Sequence, residues 1–130
     1  MRNLVLGAAA AAATLAFAAP AVAQNNSWRT IAYKTVGAGT DRDTIEVRGD
    51  RRYREVRLCS FNAPIRMRDF DIRFENNRRQ DVRVRQRIAA GTCTRAIDLD
   101  GNRRDIERIR LVYERLQRSV HRPLIRVQAR

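Results

Sequence analysis

Between Phe70 and Ile88 apolar and charged residues change places at almost every step, a pattern that commits this stretch to β-structure. Phe70, Ile72 and Phe74 fall on one face, with Asp69, Asp71, Arg73 and Glu75 on the other. Val82, Val84 and Ile88 then face inward around Gln86, while Asp81, Arg83, Arg85 and Arg87 face out. Side chains alternate across a strand, so only a strand buries one of these faces and wets the other. Asn76-Asn77 lies between the two runs, and asparagine tolerates the positive φ of a tight hairpin. A hairpin over 70–75 and 81–88 is the firmest local expectation. Ile65 and Met67 precede it in the opposite phase, so the change of phase between Met67 and Phe70 calls for a bulge or a short break.

The same alternation recurs in shorter pieces. Trp28 to Val36 alternates loosely, with Ile31 and Tyr33 on one face and Lys34 on the other. Thr44 to Arg48 alternates cleanly, and Val56 and Leu58 oppose Glu55, Arg57 and Cys59. Ile97 and Leu99 share a face, as do Ile125, Val127 and Ala129 after Pro123. Gly37-Ala38-Gly39, Gly49-Asp50, Ala90-Gly91-Thr92 and Asp100-Gly101-Asn102 punctuate these runs as turns. The segment from Asp105 to Val120 reads two ways. As a helix, Ile106, Ile109, Tyr113, Leu116 and Val120 form one stripe; as a strand, Ile109, Leu111 and Tyr113 alternate with Arg108, Arg110 and Glu114. Its periodicity leans to the helix, whereas the series of short strands before it leans to a sandwich or barrel.

Residues 1–23 read as a cleavable secretory signal: Arg2 behind the amino terminus, an alanine-dominated apolar stretch from Leu4 to Ala19, then Pro20 and the small residues Ala21-Val22-Ala23. The stretch is short for a membrane anchor, which needs roughly 20 clearly apolar residues. No cysteine precedes Cys59, so nothing at the cut invites a lipid. Residues 24–130 are then expected to form one small periplasmic or secreted domain without a transmembrane segment. Export places the only two cysteines, Cys59 and Cys93, in an oxidising compartment, where an even count favours a disulfide between them. Zinc is a poor alternative because no histidine lies near, and C-x-x-C redox spacing is absent.

Net charge is +13, and Lys34 is the only lysine among 27 basic residues. Such an excess repels like molecules and attracts polyanions. A cytoplasmic chain of this kind would first be read as a nucleic-acid binder. Export removes nucleic acid as the expected partner and leaves anionic envelope polymers or lipids, or another envelope protein. The period-two stripe of Arg83, Arg85 and Arg87 is the best candidate surface. Set against this, arginines recur along the whole chain among aspartates and glutamates, which also describes an ordinary salt-bridged exterior.

Three stretches carry a family likeness: Asp41-Arg42-Asp43-Thr44-Ile45-Glu46-Val47; Met67 to Phe74 with the Asn76-Asn77 turn; and Thr94-Arg95-Ala96-Ile97-Asp98-Leu99-Asp100-Gly101-Asn102-Arg103-Arg104-Asp105-Ile106, followed by Ile109 and Tyr113. Together they resemble a small family of exported bacterial proteins classed as a domain of unknown function, with YaaI-like proteins among its members. The resemblance covers most of Trp28 to Tyr113 and implies a β-sandwich-like domain with 106–114 as a strand. It brings no agreed activity and no catalytic residues. The chain departs from the pattern at its end, where Pro123-Leu124-Ile125-Arg126-Val127 replaces a longer strand; Leu116 to Arg122 has room for a helical turn. The expected fold is all-β, a single antiparallel β-sandwich or jelly-roll-like domain of about eight short strands.

Few residues carry recognisable chemistry. His121 is the only histidine, and nothing around it completes a nucleophilic triad or a metal site. Asp98-Leu99-Asp100-Gly101-Asn102 resembles a fragment of a calcium loop, but Arg103 and Arg104 come next and would repel the cation. The simpler reading is a structural turn built by Asp98, Asp100, Gly101, Arg103 and Arg104, in which an arginine fork grips a carboxylate. No catalytic residue, metal or cofactor is expected. The leading expectation is a non-enzymatic binding or structural module of the bacterial envelope. The alternative is a small carboxylate-based hydrolase acting on a cell-wall glycan, since 14 carboxylates always offer some suitable pair.

Overall fold

The computed structural model describes residues 27–101, 104–117 and 121–130. The leader at 1–23 and Arg103 of the expected turn lie outside the described residues. Ten strands follow in order: β1 (Arg29–Thr35), β2 (Arg42–Glu46), β3 (Arg52–Tyr53), β4 (Glu55–Phe61), β5 (Ile65–Phe74), β6 (Arg79–Ile88), β7 (Thr92–Cys93), β8 (Ile97–Asp98), β9 (Arg104–Tyr113) and β10 (Leu124–Ala129). The architecture is all-β, as alternation required. The count exceeds eight by β3 and β7, which are two residues each, too short to leave a period in the sequence.

The first sheet runs β1-β10-β4-β7, with β8 also paired to β4. The second runs β2-β9-β5-β6, with β3 paired to β9. Both are antiparallel, and their inner faces form one core. Val56, Leu58, Ile125 and Val127 from the first sheet meet Phe70, Ile72, Phe74, Ile109 and Leu111 from the second, each at most 2% exposed. Full burial of one such side chain contributes roughly 1.5–3 kcal/mol.

The anticipated hairpin is β5–β6, and Asn77 in its turn has φ 69°. The change of phase after Met67 is a bulge: the register with both β6 and β9 shifts between Met67 and Asp69. A second bulge explains the ambiguous segment. Ile106 opposes Phe74 and Arg108 opposes Arg73, so one residue of β9 is extra. It places Ile106 and Ile109, three apart, on the same buried face. A bulged strand thereby imitates a helical step. No helix forms among the described residues of Leu116 to Arg122; Leu116 packs on the core, and its carbonyl accepts the Gly39 N–H at 3.1 Å. The rest of that segment, 118–120, lies outside the described residues.

A third bulge, between Thr30 and Ala32, corrects the reading of β1. Tyr33 points outward and is 70% exposed, while Lys34 takes the same side as core residue Ile125. From there its Nζ reaches Asp43 Oδ1 of β2 at 2.6 Å and donates to the Thr44 carbonyl at 3.0 Å. The one lysine therefore ties the two sheets together at their open margin. Cys59 and Cys93 sit directly opposite on β4 and β7 and form the disulfide.

Candidate functional site

The outer face of the second sheet divides into two ends of different electrostatic character. Towards one end three arginines meet carboxylates, while exposed Arg110 and Arg78 form no ion pair with a described carboxylate. Arg79 Nη2 lies 3.4 Å from Asp71 Oδ2, Arg108 Nη2 lies 2.9 Å from Glu107 Oε1, and Arg73 Nε lies 4.0 Å from Glu107 Oε2. At the other end the β5–β6 bulge gathers cations. Two steps along β5, from Met67 to Asp69, oppose three along β6, from Gln86 to Arg83. Arg87 opposes Arg66, and Arg83 opposes Asp69. Arg85 joins Arg66 and Arg68 around a hollow of about 450 Å³ whose walls include Met67, Asp69 and Val112.

Arg66 pairs with Glu114 at 3.2 Å. Arg68, Arg83, Arg85 and Arg87 form no ion pair with a described carboxylate. Asp69, opposite Arg83 and on the wall of the hollow, and Glu114, paired with Arg66, are the carboxylates that stand at this cluster among the described residues. Guanidiniums in excess of their counter-charges repel one another, and a bound anion relieves that repulsion. The structure therefore adds Arg66 and Arg68 to the stripe read from β6. They escaped sequence analysis because only the bulge, and the pairing of β5 with β6, brings them alongside.

Around the end of the same sheet lies a mainly apolar groove of about 550 Å³. Ala63, Pro64 and Leu116 supply its apolar walls, with Arg66, Glu114, Arg115 and His121 at its polar margin. His121, unassigned from sequence, thus faces a recess. Arg66 borders both this groove and the arginine hollow.

Among the described residues 98–101 and 104 of the expected turn, the holding contacts run to backbone groups. Arg104 Nε donates to the Asp100 carbonyl at 2.9 Å, and its guanidinium carbon sits 5.2 Å from the Phe74 ring centroid. Gln80 of β6 makes the clamp: its Nε2 donates to the Asp98 carbonyl at 2.9 Å, and its Oε1 accepts the Asp100 N–H at 2.8 Å. The Asp98 and Asp100 side chains remain on the surface. Gly101 has φ 84°, and a Cβ there would fall 2.5 Å from Arg104 Nε. Backbone conformation and the seat of Arg104 both favour glycine. Gln80 is 18 and 20 residues from its partners, so no local pattern announced it.

Paired carboxylates occur, but on open surface. Asp71 and Asp81 oppose each other across β5 and β6. Burial, reinforced by Asp81, holds the Asp71 carboxyl above its ordinary pKa, while Arg79 acts the other way. Asp81 is exposed. Of the acidic pair at 41 and 43, Asp43 is engaged structurally: Oδ2 accepts the Gly37 N–H at 3.1 Å and faces the Tyr113 hydroxyl at 3.5 Å. Burial and Asp43 push the Tyr113 phenol up to about 12. Among the described residues, no group of three or more His, Cys, Asp or Glu side chains is placed to hold a metal.

The outer face of the first sheet is covered by its own side chains. The guanidinium carbons of Arg57 and Arg130 lie 4.4 and 4.3 Å from the Trp28 ring centroid, and that of Arg126 lies 4.3 Å from the Phe61 ring centroid. Arg57 Nε also donates to Gln128 Oε1 at 2.8 Å. Burial, with Arg130 nearby, lowers the Arg57 pKa from its ordinary value. Arg130 Nε also pairs with Glu55 Oε1 at 3.0 Å, so these arginines are engaged by aromatic rings, an amide and a carboxylate.

Fold and surface together define a small disulfide-linked β-sandwich with an arginine-rich end. The chain belongs to the family described as Domain of unknown function (DUF2541), whose model matches residues 10–129. No curated protein and no solved structure matches it.

Proposed function

We propose that this chain is a non-enzymatic binding module of the bacterial envelope that engages an anionic envelope component through Arg66, Arg68, Arg83, Arg85 and Arg87. The observation that carries this reading is the uneven pairing on one sheet face. Arg73, Arg79 and Arg108 lie within 4.0 Å of a carboxylate, whereas four of the five arginines at the bulge form no ion pair with a described carboxylate, and Asp69 alone lines the hollow against Arg66, Arg68 and Arg85. Bulges aim side chains and recur beside functional sites, which fits an arginine cluster that serves a ligand. The leader at 1–23, read as an export signal, favours a ligand among envelope polymers or lipids, and the stretches at 41–47, 67–77 and 94–113 favour a likeness to exported YaaI-like proteins. The hydrolase alternative draws no support from the Asp71–Asp81 pair, because an open sheet face offers no enclosed site.

Retention of the protein on lipopolysaccharide or anionic vesicles, measured across a salt series, tests the proposal. Binding should weaken steadily with ionic strength, and the Arg83→Gln/Arg85→Gln/Arg87→Gln variant should lose most of it. β6 is an edge strand, where charges also discourage strand-to-strand association. A variant that retains binding but becomes oligomeric would assign the stripe to that protective role and overturn the proposal.

A further inference from the structure

The arginine hollow and the apolar groove share Arg66, and we infer that they form a single composite site for one anionic lipid, with its phosphate among the arginines and its acyl chain along Ala63, Pro64 and Leu116. This rests on the proposed anion-binding role of the arginine cluster and names the class of molecule it takes. The two recesses differ in chemistry. The groove is mainly apolar, and its volume of about 550 Å³ lies in the range of sites that enclose small organic molecules, roughly 300–1,000 Å³. The hollow of about 450 Å³ is more polar and is bordered by Arg66, Arg68 and Arg85 against the single carboxylate of Asp69, so its wall is net positive. A ligand matching both must carry a strong anion at one end and hydrocarbon at the other.

Arg66 is placed to serve the junction. Its side chain is more than half exposed, and its partner Glu114, 3.2 Å away, is equally exposed, so the guanidinium exchanges partners without uncovering a buried charge. A guanidinium also grips phosphate with two parallel N–H donors, which a lone ammonium does not. Free polyphosphate would satisfy the hollow and leave the groove unused. The inference therefore predicts that hydrocarbon adds affinity.

Calorimetric titration of the full protein with inorganic phosphate, then with butyl, hexyl and octyl phosphate below their micelle concentrations, is the test. Affinity should rise about three- to four-fold per added methylene while the chain enters the groove. Amide resonances of 62–66 and 114–117 should respond to chain length, and those of 83–87 to phosphate itself. Arg66→Gln should weaken every alkyl phosphate about ten-fold or more. An unchanged melting temperature would show that this exposed site tolerates the change. Alkyl phosphates that bind no better than inorganic phosphate, while inorganic polyphosphate still binds in a salt-dependent way, would overturn the lipid inference and leave the arginine reading standing. Absence of binding by polyphosphate and by every alkyl phosphate would overturn both. Chain-length dependence insensitive to Arg66→Gln would show a greasy surface without a headgroup site and would also overturn the inference.

Discussion

Breaking the Cys59–Cys93 bond, through a Cys59→Ala/Cys93→Ala variant, should cost this domain a large part of its stability. The two residues are separated by 34 positions, so the bridge closes a loop of about 35 residues in the unfolded chain. Chain entropy then assigns it roughly 3.8 kcal/mol at 25 °C, against a typical total of about 5–15 kcal/mol. The unfolded fraction would rise roughly 600-fold, and the melting temperature would fall by about 15–30 °C. Native contacts around the bridge survive its loss: the Thr94 N–H donates to the Leu58 carbonyl at 2.7 Å, and the Gly91 N–H to the Ser60 carbonyl at 2.7 Å. The cost should therefore appear mainly through the freed unfolded chain rather than through a collapsed sheet. Urea unfolding of oxidised protein, reduced protein and the variant measures it. Oxidised protein should be the most stable, with the other two close together and reductant without effect on the variant. A gap below about 1 kcal/mol between oxidised protein and the variant would refute the entropic reasoning.

Other expectations follow from the sheet margin and the turn. Asp43→Ala removes the Lys34 pair and the Gly37 cap together, and should cost about 1–2 kcal/mol by chemical denaturation. Tyr113 should titrate near 12 in an ultraviolet absorbance titration of folded protein, well above an ordinary phenol. Because the fold favours its neutral form, that contribution to stability is complete below about pH 10 and is lost as the pH rises toward 12; stability that increases over this interval would contradict the burial of Tyr113 beside Asp43. Gln80→Ala should cost about 1 kcal/mol and raise amide exchange at Asp100, since one side chain supplies both bonds to the turn.

Strand identity was legible along β4, β5, β6 and β10 because each buries one face and wets the other, and that asymmetry writes itself into every second residue. The bulge after Met67 was legible for the same reason, as a slip of phase inside an otherwise regular run. Where the run was short or irregular, the reading failed. In β1 a bulge at its start reversed the sides of Tyr33 and Lys34, and in β9 a bulge made a strand resemble a helix until the family likeness chose between them. The site was half legible. Arg83, Arg85 and Arg87 announced themselves by spacing, whereas Arg66, Arg68 and the groove beside them depend on which strands become neighbours.

By itself, then, the sequence determined that the chain folds as short antiparallel strands, that Cys59 and Cys93 are natural partners and that the surface is rich in arginine. Only the tertiary structure decided which arginines find a carboxylate, that Lys34 bridges to Asp43 on the other sheet, and how the Asp98–Gly101 turn is held. The reason is one of range. Burial of a strand face is felt by consecutive residues and leaves a local period. The electrostatic balance of a guanidinium is settled by side chains from other strands, and no local pattern records it.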